Sequence, residues 1–279
     1  MKRLYHILLI VLIAFCTHCK NHDELNILDK EGLNLYWHHV ADVDRGRYLL
    51  MSFTNSHRST NRAEYKFEYN IQGQVIDVRL VEKIDKGKCP VYPMPQGDEC
   101  QSRGDIYIRE NELSKGTYQF RLQTGDNVVT SDLIVGQNQY ELKVPVNPYF
   151  TNSIPFVYAI PKNIVYGSIR YYGKENELFA KALIDDLTKT GLKPATVPLH
   201  PYRHLPENSQ THLAKSFWEP DGYSINLLFS WDGSFKQVSE ICKKHFEQSK
   251  KQLGIGLYNS NFMEQVTGEQ YGTFSAYLR

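Results

Sequence analysis

A chain of 279 residues can bury one large core or two modest ones, and the length favours two. Its 32 Lys and Arg stand against 31 Asp and Glu, which leaves no basic stripe for nucleic acid. No basic amphipathic helix marks a membrane-surface protein either. Aromatic residues make up 13% of the chain, 19 tyrosines among them, a content that suits sheets with one wet face.

Lys2 and Arg3 give the chain a positive start, and Leu4–Phe15 follows as an apolar run broken only by His6. That run is too short to span a bilayer but has the length of the hydrophobic region of a secretory signal. It ends at Cys16 and Cys19, and in this it resembles the signal of bacterial lipoproteins, whose cysteine is lipidated and becomes the new N-terminus. Phe15 and His18 stand where that family has a small residue, so the lipobox is imperfect and both Cys19 and Cys16 are candidate anchors. Plain cleavage after Cys16 is the alternative. The resemblance implies a signal peptide over 1–18, a polar tether over 19–32 and a lipid anchor. It places the protein in the cell envelope, at the outer membrane or its periplasmic face.

Export means an oxidising compartment, where cysteines are read first as disulfide candidates. Cys89 and Cys100 bracket a loop with three prolines and a glycine, and no second pair or nearby histidine completes a tetrahedral metal site. A disulfide there would contribute about 2–3 kcal/mol. Cys242 falls on the apolar side of a helical pattern and reads as a small buried hydrophobe.

From Leu33 to Val144 the pattern is strand after strand. Leu33–Val40 alternates, Tyr48–Phe53 is a shorter run, and Tyr65 to Ile71 and Ile76 to Leu80 flank a Gln72-Gly73 turn. Asp105–Arg109 follows. Tyr118, Phe120 and Leu122 then alternate into a Gly125-Asp126 turn, with Val128–Val135 as the return strand. A last strand lies around Tyr140–Val144. The motif Leu113-x-x-Gly116-x-Tyr118 resembles the corner that opens a late strand in immunoglobulin-like and fibronectin type III-like sandwiches. That resemblance implies an all-β sandwich over 33–144 and a buried Tyr118 hydroxyl bonded to upstream backbone.

Prolines 145 and 148 punctuate a linker over 145–155, and the period then changes. Val157–Ile160 and Val165–Tyr172 read as strands, and Glu177–Thr190 as a helix with Leu178, Ala182, Leu183 and Leu187 on one face. Gly191 stops it. Tyr223–Trp231 is an apolar strand, and Phe235–Leu253 a second helix. Gly254–Tyr258 and Thr273–Leu278 close the sheet. The order predicts an α+β sandwich over 156–279, two helices on a mainly antiparallel sheet, which resembles ferredoxin-like topologies. The fold class is therefore two-domain, an immunoglobulin-like sandwich followed by an α+β domain.

Catalytic motifs are missing from the sequence. Gly254-Ile-Gly256 lacks the third glycine of a phosphate loop, and no nucleophile elbow or helical His-Glu-x-x-His occurs. Asp185-Asp186 point to diverging helix faces and make a poor acid/base pair. The long Pro194–Gly222 connection concentrates His200, His204 and His212 with Tyr202, Arg203, Glu207 and Trp218. Three histidines have the chemistry for zinc, with Glu207 as the general base of a hydrolase. However, Pro201 and Pro206 prevent a regular helix from presenting His200 and His204 together.

The expectation is an exported, non-catalytic binding or scaffolding lipoprotein with no cofactor and no nucleic-acid partner. Its contacts are the membrane through the anchor and a protein or glycan of the envelope. Tyr92 in the cysteine loop, with Tyr202, Arg203 and Trp218, are the candidate contact residues, because Tyr, Trp and Arg dominate interface energy. Exposed tyrosines of the second domain as a stacking floor for a small ligand or glycan are the second reading. A metal-dependent hydrolase is the third. A concave pocket lined by tyrosine would point to a ligand, and a flat aromatic patch to a protein partner.

Overall fold

The computed structural model describes residues 25–42, 44–90, 99–147, 149–196, 214–215, 222–261, 264–270 and 272–278. Two compact units divide the chain, one of Met1–Trp37 with Leu49–Val157 and one of His38–Tyr48 with Tyr158–Arg279.

The first unit opens with a short helix, α1 (Ile27–Glu31), whose Ile27 and Leu28 are buried. Strands follow as β1 (Leu33–Asp42), β2 (Gly46–Asn55), β3 (Asn61–Gln72), β4 (Val75–Lys88), β5 (Arg103–Arg109), β6 (Gly116–Thr124), β7 (Asn127–Val135) and β8 (Gln139–Lys143). Two short ones, β9 (Phe150–Asn152) and β10 (Phe156–Tyr158), complete it. Their order is β10-β8-β7-β6-β4-β3-β5-β2-β1-β9. The expected turns are present: Gly73 and Gly125 take left-handed conformations between the paired ends Gln72↔Val75 and Thr124↔Asn127. Alternating residues turn inward, so Trp37, Phe53, Phe120 and Phe150 are fully buried. Tyr118 is buried, and its hydroxyl accepts the backbone N–H of Ser114 at 2.8 Å, the upstream bond that the corner motif implies.

Four features of this unit go beyond the alternation pattern. β4 and β6 pair in parallel over six residue pairs, Val75↔Gln119 to Leu80↔Thr124, whereas immunoglobulin-like sheets are antiparallel. β3 and β5 meet at a single parallel pair, Glu64↔Arg103. Next to it stands Gly104, where a Cβ would lie 2.2 Å from the Tyr65 carbonyl oxygen. The stretch 145–155, expected to link two domains, carries β9. That strand pairs in parallel with β1, and Phe150 and Ile154 are buried. The end of the expected tether is also held: Glu31 bonds Lys83 and the Tyr65 hydroxyl, and Asn26 accepts the Asp126 N–H at 2.8 Å.

The second unit holds β11 (Ile164–Tyr172), α2 (Glu177–Lys189), β12 (Lys193–Pro194), β13 (Ala214–Lys215), β14 (Gly222–Ser230), α3 (Phe235–Gln248), β15 (Leu253–Asn259), β16 (Gln265–Gly268) and β17 (Phe274–Tyr277). Its sheet runs β12-β14-β11-β15-β16-β17, with β13 also on β14, and every pairing is antiparallel. Both helices pack on one face, as the α+β expectation required. Ala180, Leu183, Ile184 and Leu187 of α2 join Phe235, Val238, Cys242 and Phe246 of α3 against Val165, Ile169, Leu227, Phe229, Ile255 and Leu257. The hairpin tip of β1 and β2 belongs to this unit. His39 accepts the Ile160 N–H at 3.2 Å through its ring nitrogen, and Arg47 donates to the carbonyls of Ile160 and Ser260.

Two details of the helices differ from the sequence reading. The buried stripe of α2 is Ala180, Leu183, Ile184 and Leu187, a true i, i+3, i+4, i+7 series, while Leu178 and Ala182 are exposed. α3 ends at Gln248 rather than Leu253, because Lys250 and Lys251 both adopt positive φ and turn the chain back. Leu253 is buried as the first residue of β15 instead. Cys242 is a free, fully buried thiol, and burial pushes its pKa up to about 12.

Candidate functional site

Because side chains alternate along a strand, the second sheet has a second face whose residues the helices never touch. Cross-strand register sorts that face into rows. The first row runs Leu228, Tyr166, Tyr258, Gln265 and Tyr277 across β14, β11, β15, β16 and β17. The next runs Asn226, Ser168, Gly256, Thr267 and Ser275 across the same strands. A third, shorter row holds Ala214, Ser224, Arg170 and Gly254.

Each row has its own character. In the first, Leu228 is buried with Ile164 against Ile160, Tyr166 and Ala195, which closes that end. Tyr166 and Tyr258 stack with ring centroids 5.5 Å apart and planes 29° from parallel. Burial, and then the neighbouring Tyr258, push the Tyr166 pKa up to about 12, so it stays a neutral phenol. Tyr258 and Tyr277 are 41% and 42% exposed, so aromatic surface faces water at the far end of the row. The second row is made of small hydrogen-bonding side chains around a glycine, and a Cβ at Gly256 would meet nothing within 4 Å. The floor there is open. Among the described residues of these three rows Arg170 is the one formal charge, and it is exposed; a further row on the same face, Lys193, Ser230 and Ile164, adds the exposed Lys193 at the sheet edge.

The sequence pattern held a signal for this face. In Gly254-Ile-Gly-Leu-Tyr258 the apolar residues alternate with glycines, which places two side-chain-free positions on the wet face of a strand. As a phosphate loop the segment fails; as a flat strand floor it succeeds.

A concavity lies in the first unit, a trough of about 380 Å³ between β3 and β5 lined by Phe67, Glu68, Tyr69, Asp105, Ile106 and Tyr107. The Tyr69 hydroxyl lies 2.9 Å from both the Tyr107 carbonyl oxygen and the Glu112 carboxylate, so it spans the gap itself. Burial, then Glu112, push its pKa up to about 12.

Of the residues singled out from the sequence, Cys89 and Cys100 are joined in a disulfide. The backbone holds both ends of their loop to one segment: Cys100 pairs with Ser59, and the Cys89 N–H donates to the Thr60 carbonyl at 2.8 Å. Cys16, Cys19, Tyr92, His200, Tyr202, Arg203, His204, Glu207, His212 and Trp218 lie outside the described residues. Asp185 and Asp186 do not act as a pair. Asp186 instead lies 2.9 Å from His245 Nε2 and 3.2 Å from Lys244 Nζ. Among the described residues no group of three or more His, Cys, Asp or Glu is placed to hold a metal ion. No helix among them is long and apolar enough to cross a membrane. Comparison of the chain with protein-family models, with curated proteins and with solved structures gives no match.

Proposed function

We propose that the protein is an exported, membrane-anchored lipoprotein with a non-catalytic binding or scaffolding role, and that the open face of its second sheet is the binding surface. The charged start, the apolar run and Cys16 or Cys19 support the anchor. The Cys89–Cys100 disulfide supports an oxidising, exported compartment. An immunoglobulin-like identity for the first unit is part of the proposal. The Tyr118 corner supports it, and the parallel β4–β6 pair makes it a variant of that layout.

One observation carries the functional reading. A face that could have been uniformly charged carries instead two exposed tyrosines, a row of short neutral side chains and a bare glycine floor. Solvated faces ordinarily carry interspersed charges of both signs, which discourages association. A face with exposed tyrosines and with only Arg170 and Lys193 as charges on its described rows is suited to a partner. The test is co-sedimentation of the purified full chain, in detergent, with envelope fragments from cells that make it. Wild type should sediment with the fragments. Gly256→Arg stands a long cation on the floor and should lower the bound fraction about tenfold, as loss of a hot-spot contact does. Equal sedimentation of the two proteins would remove this face as the binding surface.

A further inference from the structure

We propose that the occupant of this face is a neutral polysaccharide chain lying across the strands, along the tyrosine row. The inference rests on the binding role proposed above and names its ligand class.

The chemistry of the rows selects the ligand. Ser168, Ser224, Thr267 and Ser275 carry hydroxyls that both donate and accept, and Asn226 and Gln265 carry amides that do the same. Sugar hydroxyls have the same double capacity, so short amphoteric side chains match them without fixing which group gives the proton. Beside them stand Tyr258, one ring face of which is covered by Tyr166, and Tyr277, and the aromatic surface that both leave exposed can take the C–H side of a pyranose. Leu228 is buried and closes one end of the row, so its exposed part runs from Tyr258 to Tyr277, two strand intervals or about 10 Å by sheet spacing. That is room for about two pyranose rings in line. Gly256 leaves the backbone as floor beside the tyrosine row, with nothing within 4 Å of where a Cβ would stand, so a sugar ring can approach the strand closely.

The alternatives fit the rows less well. The core of a protein interface is depleted in serine and enriched in Met, Arg and large aromatics, the reverse of the Asn226 to Ser275 row. A lipid surface asks for an apolar patch or a cluster of cations, and the described rows hold two separate cations, Arg170 and Lys193, in rows that are not neighbours. Nucleic acid asks for many phosphate contacts. Arg170, at the margin, leaves room for an occasional acidic substituent on an otherwise neutral chain.

Affinity electrophoresis of the purified full chain through gels cast with defined polysaccharides tests this. The gels would carry β-glucan, starch, xylan, galactomannan or polygalacturonate, with a sugar-free gel as reference. At least one of the neutral polymers should retard the wild type. Tyr258→Ala should weaken that retardation about tenfold, the size of one lost stacking contact. Gly256→Arg should abolish it at the wild-type urea midpoint, and Tyr258→Ala should still unfold cooperatively, at a somewhat lower midpoint because its stacking on Tyr166 is lost. Retardation by polygalacturonate alone, or by no polymer, overturns the proposal, as does a Gly256→Arg protein retarded like wild type. Envelope fragments separate this failure from failure of the binding role. Sedimentation that depends on Gly256, survives periodate oxidation of the fragments and is lost after protease would keep the role and assign the face to a protein.

Discussion

The two faces of the second sheet are made by the same strands, residue by residue in alternation, and obey opposite rules. On the helix side the row Leu227, Gly167, Leu257 and Val266 is buried at its three side-chain positions, and the row beside it holds Ile225, Ile169 and Ile255. One residue along each strand lies the row Asn226, Ser168, Gly256, Thr267 and Ser275, with no apolar side chain in it. Even the glycines differ. Gly167 has a φ of +149° and a Cβ there would sit 1.8 Å from the Gly256 carbonyl oxygen, so the site admits nothing larger. Gly256, its diagonal neighbour, has open space above it. The contrast separates what the fold requires from what it merely allows, and the second group is where binding chemistry can reside.

The largest expected effect breaks the helix side. Leu227 is fully buried among residues of both helices and three strands, so Leu227→Ala removes contacts and leaves a cavity. It should cost about 2–5 kcal/mol in urea unfolding. Asn226→Ala, one residue earlier and on the open face, should stay within about 0.5 kcal/mol of wild type. Comparable losses in the two would mean that the open face is packed in the folded protein and is not a free surface.

A smaller, pH-dependent effect concerns what fastens the helices to each other above that core. The hydrogen bonds from His245 and Lys244 hold the Asp186 pKa down to about 2, from an ordinary 3.8. A depressed carboxylate pKa means that the folded state favours the anion. Its contribution is therefore complete above about 4 and is lost as pH falls towards 2. Asp186→Asn should unfold at lower urea than wild type near neutral pH, with the gap closing across that acid window. A gap that does not change with pH would mean that the loss comes from packing and not from the charge.

Much of this could be read from the amino-acid order, and the rest fails for identifiable reasons. Both hairpin turns, the two helices and the disulfide are local: each is encoded within a few residues or by two cysteines in an oxidising compartment. The parallel β4–β6 and β1–β9 pairs join segments distant in sequence, and alternation alone carries no partner information. The hairpin tip was equally hidden, because Arg47 reaches carbonyls 113 and 213 residues away. The open face depends on the same missing quantity. Tyr258 and Tyr277 belong to one row only when the register of β15, β16 and β17 is known. The contact residues that composition points to, Tyr92, Tyr202, Arg203 and Trp218, fall in stretches that read as loops, and exposed tyrosines of the second domain carry no position until strands are paired.

The smallest expected change in stability is the one that separates fold from function most cleanly. Gly256 lies mid-strand in β15, paired with Ser168 on one side and Thr267 on the other. A methyl group there meets no atom within 4 Å, and the position lies outside the left-handed backbone region, so alanine adds no strain. Glycine in a strand costs chain entropy, and replacing it where the conformation is compatible stabilises by about 0.4–1 kcal/mol. Gly256→Ala should therefore match or exceed the wild-type urea midpoint. The same methyl projects into the floor on which a flat ligand would rest, so retardation in polysaccharide gels should weaken even as stability holds. If alanine lowers stability, something covers the floor in the folded protein. If stability holds and retardation is unchanged, the ligand does not rest on Gly256, and the contact must lie along the tyrosines alone.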